Sequence, residues 1–375
     1  MGHIWSMLPA AVLGSSEERR LEYLQETRTG RFVIEDVTRP TAVTLTIVRE
    51  GEAPLTARYE RLHVAPDVRV EPLHDGRLRG LFFSAAGEEP RPGLLVLAGS
   101  GGGVHSQTAA LLASHGYAAL ALAYFGYGDL PAHHHRIPLE YFAEGVEWLR
   151  AELGHDGIGV WGTSRGGELA LLLGATFPSD FRAVVGNVPS SHRYPGYDPE
   201  AGPNVPPWAH QGRVLPFAPL PLSWIDYLRE IRQWRAIFFG APAELAPFYS
   251  RAIANADVAE RAAIEVEKIR CPLLVIGGGA DRLWPSGRFV ELVKERLEQK
   301  NSRILYRSLV FEDAGHLISG SYRPLGMGGL IYHPEVEMFM DLGGSPRADA
   351  QAGADAWAEA LQFLSEIDWS ANPSE

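Results

Sequence analysis

A single cysteine, Cys271, stands among 375 residues, so the chain has no intramolecular disulfide and no cysteine-based zinc site. The mark of a small, stapled secreted scaffold is therefore missing. Positive charge is also in deficit: 34 Lys and Arg stand against 46 Asp and Glu, a net charge of −12. A surface of that sign repels a phosphate backbone, which excludes nucleic-acid binding as the main activity. No apolar run approaches the roughly 18–20 residues that a membrane helix needs. The apolar stretch 4–13 is short, is broken by Pro9 and has no Lys or Arg ahead of it. It is expected to dock on the body of the protein, not to act as a leader, and the cytoplasm is the expected location. Internal repeats and low-complexity tracts are lacking as well. What remains is an ordinary globular balance, 46% apolar and 21% charged, long enough for one large α/β domain or two domains.

The texture changes near residue 65. Before it, Val43, Leu45 and Ile47 alternate with Thr44 and Thr46, the period of a half-buried strand, and 32–34 and 58–62 read as further strands. Residues 1–65 are expected to form a small, β-rich N-terminal domain. From 66 to 375 apolar strand candidates alternate with amphipathic helices. The strands fall at 68–73, 78–84, 93–98, 117–123, 157–161, 182–187, 272–277 and 303–309. The helices fall at 105–115, 138–153, 165–176, 286–297 and 351–367. Continuous apolar runs suit strands buried on both faces, so a mostly parallel sheet covered by helices is expected. One stretch breaks the rhythm. About 188–270 shows no clear strand, is rich in Pro and carries many aromatics, among them Tyr194, Trp208, Trp224, Tyr227, Trp234 and Phe248. An insertion of that length between core strands reads as a cap walling an apolar pocket, or as aromatics that only pack it onto the body.

Gly162-Thr163-Ser164-Arg165-Gly166 has the form G-x-S-x-G. Five residues alone are weak evidence. A buried strand candidate running into them and a helix running out supply the strand–turn–helix setting that a nucleophile elbow requires. Ser164 is the candidate nucleophile. A hydroxyl needs a base in contact, and His316 follows the last strand candidate, where a loop returns to the sheet edge. Asp281, after strand 272–277, lies between Ser164 and His316 in chain order and is the candidate orienting acid. Glu312 and Asp313 are rivals that more naturally brace the His316 loop. Acyl-transfer chemistry also needs donors for an oxyanion. The backbone N–H of Arg165 is one candidate. Ser100 or Gly101, in the glycine run 99–103 ahead of a helix, supplies the other. That run lacks the Lys-Ser/Thr of a phosphate-binding loop.

Gly102, His105, Tyr127, Trp208 and Trp224 are candidates for substrate contact. His133-His134-His135 lacks a Cys or carboxylate cluster beside it and reads as a solvated loop, so no metal is expected. No cofactor is expected either. Cys271, followed by Pro272 into a core strand, reads as buried structure.

Longer segments carry a resemblance: 57–61 (ARYER), 77–82 (RLRGLF), 101–103 (GGG), 121–131 (ALAYFGYGDLP), 139–142 (LEYF), 162–169 (GTSRGGEL) and 344–348 (GSPRA). In these the chain resembles the acyl-CoA thioesterases and bile acid-CoA:amino acid N-acyltransferases over roughly 39–367. The resemblance implies an N-terminal β-sandwich domain followed by an α/β-hydrolase domain. It places the family's triad on Ser164, Asp281 and His316. Members with a Cys nucleophile tend to be amino acid transferases and those with Ser tend to hydrolyse acyl-CoA, which favours hydrolysis here. The N-terminal domain looks shorter than the family's, and the insertion looks longer and more aromatic.

The expected fold is thus an α/β hydrolase with a cap insertion. The expected partner is a small-molecule acyl substrate, a CoA thioester, carrier-bound acyl group or ester, with no membrane or nucleic acid involved and oligomeric state open. Serine hydrolysis leads. Transfer of the acyl group to an amine, elimination of an acyl group by a lyase, and a non-enzymatic binding module are the alternatives. With a net charge of −12, CoA binding needs a local basic patch, for which Arg136, Arg165 and Arg193 are candidates.

Overall fold

A computed structural model of the chain describes residues 36–48, 51–87, 91–222, 242–318, 329–333 and 338–370. The apolar stretch 4–13, the strand expected at 32–34 and the insertion aromatics Trp224, Tyr227 and Trp234 lie outside them. The chain first forms β1 (Thr41–Ile47) and β2 (Leu55–Arg61), an antiparallel ribbon of their own. Then follow β3 (Val68–Asp75), β4 (Leu78–Ala85), β5 (Gly93–Leu97), α1 (Ser106–Ala113), β6 (Ala118–Ala123), β7 (Ile137–Pro138), α2 (Glu140–Leu153), β8 (Ile158–Thr163), α3 (Arg165–Thr176) and β9 (Ala183–Asn187). The insertion holds β10 (Gly196–Asp198), β11 (Gly202–Val205), β12 (Trp208–His210), β13 (Arg213–Val214), α4 (Ala246–Ala252) and α5 (Ala256–Ala262). The chain closes with β14 (Leu273–Gly278), α6 (Ser286–Gln299), β15 (Tyr306–Phe311), β16 (Leu330–His333), β17 (Met338–Asp341) and α7 (Pro346–Ser365).

Eight strands make the central sheet, in the order β3-β4-β6-β5-β8-β9-β14-β15. β3, β4 and β6 are joined antiparallel, and every pairing from β6 to β15 is parallel. With its helices this is the α/β-hydrolase sheet, as expected. The central strands are apolar on both sides because both sides are covered. In β5, Leu95 and Leu97 join a core with Phe142 of α2, Leu169 of α3 and Val290 of α6. Leu94 and Val96 join a second core with Ala109 of α1 and with Trp357 and Phe363 of α7. All four β5 side chains are fully buried.

Strand order decides where a site can form. From β5 the chain crosses to β6 on one side, and β8 lies on the other. Loops leaving β5 and β8 therefore part in opposite directions at their carboxyl ends and open a crevice between them. The glycine run leaves β5 there, and the Gly-x-Ser-x-Gly turn leaves β8.

Two expectations need correction. The insertion shows no clear strand in sequence, yet its described residues carry four short ones. β12 pairs with β7 in parallel and with β13 antiparallel, and β10 pairs with β11. Runs of two to four residues interrupted by Pro give no readable alternation. The last helix begins at Pro346, earlier than the expected 351. Ser345 accepts the Ala348 N–H at its start and Pro346 occupies the first turn, a strong start signal.

Phe142 is fully buried on α2, with the rings of Tyr124, Tyr141 and Trp208 around it. Phe142→Ala is expected to cost about 3–5 kcal/mol, read as a lowered urea midpoint.

Candidate active site

At the carboxyl end of β8 the backbone turns so sharply that side chains have no room on either flank. A Cβ on Gly162 would overlap the Gly166 carbonyl, and one on Gly166 would overlap the carbonyls of Leu97 and Ala98. Ser164, between them, takes φ 58° and ψ −118°, a left-handed conformation that costs a non-glycine residue of order 1–3 kcal/mol. Its own N–H donates to the Asn187 carbonyl at 2.8 Å, which ties the turn to β9. The side chain is thereby lifted to the sheet edge at the start of α3.

His316 reaches it from the turn after β15. Its Nε2 lies 2.9 Å from Ser164 Oγ, and its Nδ1 lies 2.7 Å from Asp281 Oδ2. His316 and Asp281 are both buried, while Ser164 keeps partial exposure. Asp281 is itself held firmly. Ser286 Oγ donates to Oδ2 at 2.6 Å, and the N–H groups of Leu283 and Trp284 donate to Oδ1 at 3.0 and 3.2 Å. The Trp284 ring meets the imidazole edge-on at 5.9 Å. Asp281 can then accept from Nδ1, which leaves Nε2 free to take the serine proton. Ser286 and Trp284 were not singled out from sequence. Their signal was only that they follow Asp281 within five residues and that Ser286 opens a helix.

The expected oxyanion donors lie nearby. A Cβ on Gly99 would sit 3.3 Å from Ser164 Cβ, so the glycine run passes directly over the serine. Gly102 N–H is spent on the Gly99 carbonyl at 3.2 Å and Gly103 N–H on the Phe125 carbonyl at 2.9 Å. The N–H groups of Ser100 and Gly101 have no such partner among the described residues, and the Arg165 N–H is the first of α3, without an intrahelical acceptor. Gly102 serves the turn itself: at φ 65° a Cβ would press on Phe125 at 2.8 Å. His105 stands at the start of α1 with Nε2 3.4 Å from Thr108 Oγ1. Tyr127 is half-buried in the loop after β6.

Other candidates are placed elsewhere. Trp208 is fully buried among Tyr124, His134 and Phe142, and its Nε1 donates to Glu168 at 2.8 Å. That is a core position with no surface left for a substrate. Trp224 lies outside the described residues. The basic patch also needs correction, because Arg165 and Arg193 are buried and turned inward. Arg193 donates to the Pro216 and Arg261 carbonyls, and only Arg136 of the three is exposed. His134 departs from the solvated loop expected of the three histidines. It is 5% exposed and stacks on Phe125 at 5.4 Å, and burial holds its pKa well below the usual histidine value. A neutral imidazole packs there as one more ring. His135 pairs with Asp198 at 2.8 Å. Among the described residues, no cluster of three His, Cys, Asp or Glu could hold a metal ion. Cys271 is buried, which pushes its thiol up to about 12.

Arg165 does more than follow the serine. Its guanidinium donates to Glu168 Oε2 at 2.7 Å and to the Tyr194 and Pro195 carbonyls at 3.2 and 3.0 Å. Glu168 is fully buried and burial raises its pKa, opposed by Arg165 and by the Trp208 and Tyr194 N–H donors. This pair pins the start of the insertion to the first turn of α3. A cavity of about 710 Å³ lies elsewhere, between Leu172, Thr176, Arg193, His210, Leu215 and Lys268. It opens at the other end of α3, about 18 Å from Ser164 by helix rise.

The family described as "BAAT / Acyl-CoA thioester hydrolase C terminal" matches residues 137–197 and 244–367. Acyl-coenzyme A thioesterase 1 from Homo sapiens is 31% identical over 347 residues, spanning 89% of this chain and 75% of that protein. The chain belongs to the acyl-CoA thioesterase and bile acid-CoA:amino acid N-acyltransferase family. Acyl-coenzyme A thioesterase 2, mitochondrial, from Mus musculus is 31% identical over 374 residues, 97% of this chain and 72% of that protein. Acyl-coenzyme A amino acid N-acyltransferase 2 from Mus musculus is 30% identical over 309 residues, 82% and 67% of the two chains. Among solved structures, the α/β hydrolase enzyme MGS-M1 from a Medee basin deep-sea metagenome library is similar at a TM-score of 0.46 and 14% identity, covering 80% of this chain and 100% of that one. The family match is interrupted at 198–243, inside the insertion.

Removing Glu168 leaves the Arg165 charge buried and unpaired. Glu168→Ala is expected to cost about 3–5 kcal/mol of stability by urea unfolding. Glu168→Gln, which keeps an acceptor for Trp208, is expected to cost less.

Proposed function

We propose that the protein is a serine hydrolase of acyl thioesters, with Ser164, His316 and Asp281 as its catalytic triad. The observation that carries this is the continuous hydrogen-bonded chain from Asp281 through His316 to Ser164, with bonds of 2.7 and 2.9 Å. Ser164 Oγ attacks the acyl carbonyl carbon and gives its proton to His316 Nε2. Charge develops on the carbonyl oxygen, where the N–H groups of Arg165 and of Ser100 or Gly101 stabilise it. Collapse of the tetrahedral adduct expels the thiolate, which takes the proton from His316. Water, deprotonated by the same imidazole, then attacks the acyl-enzyme. Ser164 regains its proton and the carboxylic acid leaves. No cofactor enters these steps.

The acyl-CoA substrate class comes from the relatives named as acyl-coenzyme A thioesterases. A second outcome, transfer of the acyl group to an amine in place of water, is supported by the relative named as an amino acid N-acyltransferase. The serine at the nucleophile position is the reason for placing hydrolysis first. We further propose 1–65 as a small N-terminal domain, 66–375 as the catalytic domain and 188–270 as its cap, with Tyr127 and His105 beside the substrate. A cytoplasmic location is likewise a proposal, since relatives carry mitochondrial and peroxisomal names. No helix among the described residues is long and apolar enough to cross a membrane.

The test is intact-mass analysis with a panel of acyl-CoAs while CoA release is followed. Wild type is expected to release CoA and to carry an acyl adduct. Ser164→Ala is expected to lose the adduct and at least about 10⁴-fold in kcat, and Asp281→Asn about 10⁴-fold. Full turnover by Ser164→Ala would sink the proposal. Added glycine or taurine separates transfer from hydrolysis by diverting the product from acid to amide.

A further inference from the structure

A second buried carboxylate stands behind the base. Asp349 lies in the first turn of α7, just after the 344–348 segment that marks the family resemblance. It is 1% exposed. Its Oδ1 accepts the N–H of Gly315, the residue before His316, at 2.7 Å. Its Oδ2 is buried without a hydrogen-bond partner among the described residues, which carries a desolvation cost.

The backbone around it is shaped to allow the contact. Gly344 has φ 69°, and a Cβ there would overlap Asp349 Oδ1. A Cβ on Gly315 would overlap the Gly343 carbonyl. His316 N–H donates to the Leu342 carbonyl at 2.9 Å, and Asp281 forms a bridge with Gly343. The segment 342–344 is therefore wedged between the loops of the acid and the base, with Asp349 at its far end. Among the described residues, two ionisable groups act on the Asp349 carboxyl, Asp281 from the loop after β14 and His316 from the turn after β15. Along α7, Arg347 is exposed, Asp355 is held by Gln351, and α1 brings His115 against Trp357 two turns further on. Burial first, and then Asp281, push the Asp349 carboxyl up to about 6, against the Gly315 N–H and His316.

We infer that Asp349 is a positioning residue for His316, holding the loop of the base through the Gly315 N–H and presenting a second carboxylate charge to the imidazole. This rests on the assignment of His316 as the base. Hydrogen bond and charge separate by substitution. Asp349→Asn keeps an acceptor for Gly315 and removes the charge. Asp349→Leu removes both at similar volume. Above about pH 6 the wild-type carboxylate is ionised, and its charge favours the imidazolium. Asp349→Asn removes that charge while leaving the acceptor for the Gly315 N–H in place.

The probe is a fluorophosphonate, which reports the reactivity of Ser164 without requiring the natural substrate. Its labelling rate is measured from pH 4.5 to 8 for wild type, Asp349→Asn and Asp349→Leu, with circular dichroism to check folding. Asp349→Asn is expected to keep the plateau and shift the acid limb to lower pH. Asp349→Leu is expected to lower the plateau by about 10- to 100-fold through displacement of the base. Superimposed acid limbs for wild type and Asp349→Asn would overturn the inference, as would a full plateau in folded Asp349→Leu. If Asp349→Leu does not fold, Asp349→Asn decides alone. Wild type that fails to label at Ser164 would instead defeat the assignment of the nucleophile.

Discussion

The strained turn at Ser164 is the constraint to which the rest of the site is fitted. A left-handed serine persists only where its surroundings over-determine it. Here they do so through missing atoms: without side chains at Gly162 and Gly166, β5 and α3 close onto the turn from both sides. The serine then points into the crevice at the strand-order reversal, its N–H fixed on β9. In the proposed mechanism, a serine that cannot relax lets the base and the oxyanion donors be placed once, in fixed positions, a form of preorganisation that lowers a barrier. The glycine run over Ser164 and the bonded Asp281 loop are two further parts of that fixed frame.

The same few residues also govern the insertion. Arg165 and Glu168 occupy one face of the first turn of α3 and are buried together. The backbone of Arg165 faces the crevice while its side chain grips the carbonyls of residues 194 and 195. At the other end, the Ala243 N–H donates to Phe339 and the Ala243 carbonyl accepts from Asp341. Arg282, next to Asp281, reaches Asp341 and Glu244. Within the insertion, the stretch between residues 195 and 243 is thus tied at one end to α3 and at the other to the Asp281 loop.

Much of this was legible in sequence, for physical reasons that differ by element. Buried parallel strands leave unbroken apolar runs, so the central strands and the helices between them stand out, and the fold followed. Ser164, Asp281 and His316 each come directly after such a strand. Chain order and residue type then identified the three residues that the structure joins by hydrogen bonds. Residues whose surroundings are assembled by tertiary contact left no such trace. Trp208 and His134 looked like ligand-facing and solvated residues because nothing local says that they pack on each other. The inward turn of Arg165 and Arg193 depends on carbonyls supplied from dozens of residues away. Asp349 falls ahead of the helix expected at 351–367 and was not singled out in sequence, and only the fold sets it against Gly315.

The interruption of the family match at 198–243 acquires a meaning from the two tethers. Tyr194 and Pro195 lie before the gap, and Ala243 to Leu245 lie at its end. The interrupted stretch, only part of the insertion, is fastened at both rims. A change of sequence between the fasteners leaves both anchor points, and the hydrogen-bonded Ser164, His316 and Asp281 beneath them, in place.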